Sequence, residues 1–185
     1  YVGTGEQQSE AGHDANYSAN STKGSYNGEF YRDCGQGNEG YVEYTLTIPE
    51  ERYNELAQSG DALTVMCRFT VADKGRKAKV SVDGTEVANV TIPSNVANKD
   101  TKGFYNDEYR LPRKVAYGTN GKLKRRFVFR IEPAENGPMC PGLYYLRLLV
   151  PKPVQVEAVP YAFHASAWVS GDEPRVKQAN ISYDR

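Results

Sequence analysis

The sequence predicts an all-β protein, an antiparallel β-sandwich with one short helix. Several short segments alternate apolar and polar side chains, Gly-, Pro- and Asn-containing loops separate them, and neither an internal repeat nor a strand–helix–strand alternation is present. The chain has 185 residues, of which 39% are hydrophobic. That length and composition suit one hydrophobic core and argue against two full domains.

The strand pattern begins after residue 40 and continues almost to the end of the chain. The predicted strands are 41–48, 63–71, the two arms of a hairpin within 78–93, 104–112, 122–133, 143–151, 154–159 and 161–169. The hairpin turn is Asp83-Gly84, because both residues tolerate the positive φ that tight hairpins need. The segment 49–60 starts with Pro and acidic residues and ends in Gly, which predicts the helix.

The first thirty residues contain few aliphatic side chains and many Gly, Ser and Asn, so they are expected to form a long loop or a wrapped arm. This arm holds the densest cluster of chemically capable side chains, with Glu10 and His13 at its centre. Such a cluster can form an acid/base pair, or a cation or sugar site. It can equally hydrogen-bond its own backbone and fasten the arm across the sandwich. The spacing matches neither HExxH nor an EF-hand loop.

Two further pairs are candidates for ligand binding. Arg32, held by its neighbour Asp33, could present its planar guanidinium group to sugar hydroxyls, or the pair could fix a loop. His164 and Trp168 lie four residues apart on a predicted strand and so share a face. The indole is a suitable platform for the apolar side of a sugar ring, although the same face could pack against a neighbouring domain.

The composition argues against several classes of partner. Lys and Arg number 23 and so do Asp and Glu, and this zero net charge argues against a dedicated nucleic-acid or anionic-membrane binder. No apolar run approaches the roughly 18 residues of a membrane span. Three cysteines are too few and too widely spaced for a Cys-rich zinc site. Cys67 lies in an apolar strand pattern, which leaves Cys34 and Cys140 as the pair to test for a disulfide.

Six short motifs follow one another along the chain: GEQQSEAGH at 5–13, RD at 32–33, YVEYTL at 41–46, VDG at 82–84, FYNDEYRLP at 104–112 and GLYYLRLL at 142–149. Together they resemble a β-sandwich domain at the C-terminal end of bacterial glycosidases similar to the β-L-arabinofuranosidases of glycoside hydrolase family 127. The resemblance covers about residues 3–150. It implies a galactose-binding-like jelly roll and carries over no catalytic residue. Folds of this type often hold a structural calcium, which the acidic loops here would suit.

The resulting expectation is a sandwich domain over residues 1–150, with 151–185 as a C-terminal extension that adds one or two strands to the same domain. Its predicted role is a non-catalytic, carbohydrate-associated module of a secreted, periplasmic or cell-surface glycosidase, which binds glycan or docks on the catalytic domain. The alternative is a purely structural or dimerisation domain without glycan affinity. A third reading, a small hydrolase that uses Glu10 and His13, has the least support.

Overall fold

A computed structural model of the chain describes residues 1–35, 37, 39–60, 62–134 and 139–151. The predicted strands at 154–159 and 161–169 lie outside the described residues. So do His164 and Trp168, and so does the predicted extension beyond its first residue.

The described part of the chain forms short strands that all pair antiparallel. They are β1 (Val2–Gly3), β2 (Asn16–Tyr17), β3 (Lys23–Tyr26), β4 (Glu29–Arg32), β5 (Val42–Thr47), β6 (Thr64–Thr70), β7 (Lys77–Val82), β8 (Thr85–Thr91), β9 (Phe104–Arg110), β10 (Arg126–Pro133) and β11 (Tyr145–Leu149). A four-stranded sheet has the order β1-β11-β6-β9, and a five-stranded sheet has the order β2-β5-β10-β7-β8. The strands β3 and β4 form a separate hairpin.

The core lies between the two larger sheets and confirms the antiparallel β-sandwich. In β6, β7 and β10 alternate residues face inward, as the sequence pattern predicts. The inward residues include Val65, Cys67 and Phe69 of β6, Val80 and Val82 of β7, and Phe127, Phe129 and Ile131 of β10, all at most 1% exposed. Burying one such large side chain contributes about 1.5–3 kcal/mol. The pattern of sequence alternation therefore reflects the packing of one sheet face on another.

The turn and helix predicted from the sequence are both present. Asp83 and Gly84 have φ of 49° and 72° and join β7 to β8. The helix α2 spans Glu50–Ser59 and ends at Gly60, whose φ is 68° and whose N–H donates to the carbonyl of Leu56. Two helices of five residues each, at Gln7–Ala11 (α1) and Arg113–Tyr117 (α3), were not predicted. No helix among the described residues has the length and apolar character needed to cross a membrane.

The arm is more structured than the sequence indicates, because it folds into β1, α1, β2 and the β3–β4 hairpin. Val2 pairs with Leu146 at one edge of the four-stranded sheet, and Tyr17 pairs with Val42 at one edge of the five-stranded sheet. Pairing at a sheet edge uses backbone hydrogen bonds and requires no apolar face on the added strand. The prediction that this segment forms no strand was therefore wrong. The segment does wrap across the sandwich, because it pairs with both larger sheets.

A disulfide joins Cys34, just after β4, to Cys140, just before β11, over a separation of 106 residues. The Cα atoms are 5.6 Å apart. Close by, Arg32 and Leu143 form an isolated antiparallel bridge. Cys67 remains a free, buried thiol in the core. The pair that the sequence singled out is thus the bridge that ties the end of the arm to the last described strand.

Candidate functional site

Two of the predicted site residues, Glu10 and Arg32, form a buried ion pair beneath the arm. The Arg32 Nε lies 2.6 Å from Glu10 Oε1, and its Nη2 lies 2.7 Å from Oε2. The Arg32 side chain is only 6% exposed and the Glu10 side chain only 8%. Glu10 Oε1 also accepts hydrogen bonds from the Gly5 N–H and the Tyr44 hydroxyl. Burial acts to raise the pKa of Glu10, but the hydrogen bonds from Arg32, Gly5 and Tyr44 outweigh it and lower the pKa.

The pairing of Arg32 with Asp33 suggested by the sequence was wrong. The Asp33 carboxylate is directed to a different loop, where it accepts hydrogen bonds from Thr22 N–H at 3.2 Å, the Thr22 hydroxyl at 2.9 Å and Gly35 N–H at 2.9 Å. Asp33 is 2% exposed. Adjacent residues at a strand end point to opposite sides, so the two side chains separate. Both therefore serve to hold loops in the described structure.

His13 lies next to this cluster but does not pair with Glu10. Its Nδ1 is 2.7 Å from the carbonyl oxygen of Ser9, one turn back along the chain. The arrangement is that of an arm fastened by its own side chains, one of the alternatives that the sequence allowed. In the ranges that the structure describes, no three His, Cys, Asp or Glu side chains form a group able to hold a metal ion.

An open cleft of about 280 Å³ lies between the β3–β4 hairpin and the turn that follows β6. We call it the tyrosine cleft. Its walls include Tyr26, Tyr31, Thr70, Asp73, Arg76 and Tyr144. Sequence reasoning did not select any of these residues, and the only general signal for them was the excess of tyrosine, 14 residues in the chain.

Close backbone approaches fix the tyrosine rings of this cleft. The Tyr31 and Tyr144 ring centroids are 5.4 Å apart. A Cβ atom at Gly24 would lie 2.7 Å from the Tyr31 hydroxyl oxygen, and one at Gly142 would lie 3.1 Å from the Tyr31 ring. A side chain at Gly24 would therefore force the Tyr31 ring to move, and one at Gly142 would require a smaller shift of the same ring. Tyr26, at the tip of β3, is 39% exposed and forms the outer wall.

The polar groups of the cleft are a carboxylate and a guanidinium in contact. Asp73 Oδ1 lies 3.1 Å from Arg76 Nη1, and Oδ2 accepts a hydrogen bond from the Gly142 N–H at 2.9 Å. Burial raises the pKa of Asp73, and the Gly142 hydrogen bond and Arg76 only partly offset this effect. The pair offers an acceptor and a donor beside aromatic rings, which is the combination that recognises a hydroxyl-rich ring with one apolar face.

Fold and cleft together define an antiparallel β-sandwich that carries an open, tyrosine-lined surface site. The model of the family of unknown function DUF6805 matches residues 1–149, and the chain belongs to this family. No curated protein matches the sequence.

Solved structures with a similar fold include two family 35 carbohydrate-binding modules. One, from Clostridium thermocellum, is 14% identical and covers 75% of this chain and 93% of its own, with a TM-score of 0.48. The other, from Paenibacillus barcinonensis, is 12% identical and covers 73% and 91%, with a TM-score of 0.47. An exo-β-1,3-galactanase from Phanerochaete chrysosporium is 14% identical, and the match covers 74% of this chain and 27% of that enzyme, with a TM-score of 0.47. At these identities the likeness concerns the fold alone.

Proposed function

We propose that this domain is a non-catalytic carbohydrate-binding module and that the tyrosine cleft binds one neutral sugar residue of a glycan. The observation that carries the proposal is the contact of Asp73 with Arg76 beside the rings of Tyr26, Tyr31 and Tyr144. A sugar ring has an apolar C–H face, which stacks on an aromatic ring, and hydroxyls, which both donate and accept.

In this arrangement each protein group has a defined role. Asp73 accepts a hydrogen bond from a sugar hydroxyl, Arg76 donates one to a neighbouring oxygen, and Tyr26 lies against the ring face. Because the two charges compensate each other, the cleft suits a neutral sugar better than an acidic one. The glycines behind Tyr31 support binding as well, since a fixed ring loses little conformational entropy when the ligand arrives.

The lining of the cleft also bears on catalysis. Glycoside hydrolysis generally uses two carboxyl groups on either side of the scissile bond. Among the described residues that line the cleft, Asp73 is the only carboxylate. This supports a binding role, with any hydrolysis performed elsewhere in the host protein.

The context that we propose is an accessory place in a bacterial glycosidase similar to the family 127 β-L-arabinofuranosidases. The module would bring that enzyme to its polymer or dock on its catalytic domain. The Cys34–Cys140 disulfide supports a location in an oxidising compartment, which for such an enzyme is outside the cell, at its surface or in the periplasm.

A glycan array followed by calorimetry with the bound sugar tests the function. Tyr26→Ala and Arg76→Ala should each weaken binding about tenfold, the loss expected for one stacking or hydrogen-bonding group. Matched controls are Tyr17→Ala, which removes a ring of similar exposure (44%), and Arg130→Ala, which removes an arginine of similar side-chain exposure (33% against 32%). The controls should bind like the wild type.

Two outcomes would contradict the proposal. Equal affinity of the cleft variants and the wild type would remove the tyrosine cleft as the site. Absence of binding of the wild type to every arrayed glycan would overturn the function and favour the structural alternative, which predicts a molecular mass that rises with protein concentration.

A further inference from the structure

A second open surface lies on the other side of the β3–β4 hairpin, against the outer face of the four-stranded sheet. It is a groove of about 370 Å³, and we call it the aromatic groove. Its lining includes Tyr1, Glu6, Phe30, Tyr144, Tyr145 and Arg147. The Phe30 side chain is 55% exposed and Tyr1 is 69% exposed. Large aromatic groups held open to water in one place are typical of a contact surface.

Arg147 contacts two tyrosine rings of this groove. Its guanidinium carbon lies 5.1 Å from the Tyr1 ring centroid and 4.9 Å from the Tyr145 ring centroid. Within the described ranges it has no carboxylate at ion-pair distance, whereas Arg68 on the neighbouring strand contacts both Glu29 and Asp100. The two ring contacts thus position the Arg147 guanidinium, while its N–H donors stay available.

The Glu6 carboxylate, a hydrogen-bond acceptor, also lines the aromatic groove. Gly3 pairs with Tyr145 across β1 and β11, and Glu6 folds back over Gly3, so that a Cβ there would lie 2.7 Å from Glu6 Oε2. The glycine therefore lets the exposed Glu6 carboxylate approach the groove. The aromatic groove therefore contains a carboxylate, a guanidinium and an exposed aromatic ring. The tyrosine cleft presents the same kinds of group.

The cleft and the groove are adjacent and connected by side-chain contacts. Tyr144 lines both. The Arg68 guanidinium carbon lies 5.5 Å from the Tyr145 ring centroid and 4.7 Å from that of Phe104, and the Phe104 and Tyr144 centroids are 4.7 Å apart. Contacts between rings and a guanidinium thus run without a gap from the groove to the cleft, and they fix the spacing of the two surfaces.

We propose that the aromatic groove is a second sugar-binding subsite and that the ligand is a neutral oligosaccharide that crosses the hairpin at Phe30, not a single terminal sugar. This inference rests on the proposed function. Because both subsites contact one chain, affinity rises with chain length until both are filled, and the second contact acts at a high effective concentration.

The test is calorimetric titration with arabinose, galactose and their oligosaccharides of two to six units, together with whichever polysaccharide the array identifies. Arg147→Ala and Phe30→Ala should weaken binding of the longer chains about tenfold and leave binding of the single sugar unchanged. Tyr26→Ala should weaken both. The control Arg126→Ala removes an exposed arginine of the other sheet and should change neither.

The outcomes separate the two proposals. If the affinity of the wild type is independent of chain length, or if the groove variants bind the polymer like the wild type while Tyr26→Ala does not, the second subsite is wrong and the function stands. If the wild type binds no glycan of any length, the proposed function falls and the second subsite falls with it.

Discussion

Glu10 and Arg32 show how single residues decide where the arm lies. They are 22 positions apart, and the pair joins α1 to the end of β4 with both charges removed from water. A buried ion pair is stabilising only while both partners are present, because one charge without the other keeps its desolvation cost. The pair therefore determines the position of the arm more than the total stability of the fold.

Glu10→Gln should lower the free energy of unfolding by about 3–5 kcal/mol, since it leaves the Arg32 charge buried without its counter-ion. Urea denaturation at neutral pH measures this loss. Arg126→Ala is the control, because its pair with Asp14 is 64% exposed on both sides and should contribute less than about 1 kcal/mol. Equal losses in the two variants would show that the buried pair is not specifically stabilising.

The same carboxylate gives the protein a defined pH dependence. The pKa of Glu10 is lowered by folding from its ordinary value of 4.5, so its contribution is fully present above that value and is lost as the pH falls through the folded pKa. The difference in unfolding free energy between wild type and Glu10→Gln should therefore shrink as the pH is lowered below 4.5. A difference that stays constant to pH 3 would contradict this assignment.

At the residue scale the sequence indicated the chemistry but not the partners. It placed Glu10 with His13 in one cluster and Arg32 with Asp33 in a separate pair, whereas in the structure Glu10 pairs with Arg32, and the His13 and Asp33 side chains bond to other groups. Which carboxylate meets Arg32 depends on how α1 packs over β4, a long-range feature without a local sequence signal. For the same reason Asp73 could not be selected.

Single elements were predictable where one face had to be buried. The alternation at 41–48 and 122–133 corresponds to β5 (Val42–Thr47) and β10 (Arg126–Pro133), because a core on one side imposes a period of two. The β3–β4 hairpin has no such face. Its turn, Asn27-Gly28, has φ of 45° and 87° and carries the same local signal as Asp83-Gly84, but the runs beside it lack apolar alternation.

The disulfide is the covalent link of the arm to the last described strand, and its removal should be costly. A closed loop of this length, with a sequence separation of 106 between the cysteines, gives about 3–5 kcal/mol from the restriction of the unfolded chain. The double variant Cys34→Ala/Cys140→Ala should lose that amount in chemical denaturation. As a control, a reductant should destabilise the wild type and leave the double variant unchanged. If the double variant is as stable as the wild type with its disulfide intact, the prediction is wrong.

The charge of the whole molecule predicts how its binding responds to salt. Positive and negative side chains are equal in number, and the lining of each proposed subsite contains both acidic and basic side chains. Affinity for a neutral glycan should therefore change less than about twofold between about 50 and about 500 mM NaCl, since no counterions are released on binding. Calorimetry at the two concentrations checks this. A steep fall in affinity would indicate a polyanionic ligand instead.

The pairing of Val2 with Leu146 joins the first described strand to the last, and this has a consequence for biosynthesis. As the chain leaves the ribosome at about 5–20 residues per second, on the order of ten seconds pass between the appearance of β1 and that of its partner. Throughout that interval β1 has no partner strand and Cys34 has no Cys140 with which to form a disulfide, whereas β2 can already pair with β5. The four-stranded sheet can therefore be completed only after β11 has been synthesised, and an enzyme that carries this domain must keep β1 from pairing with another strand during that interval.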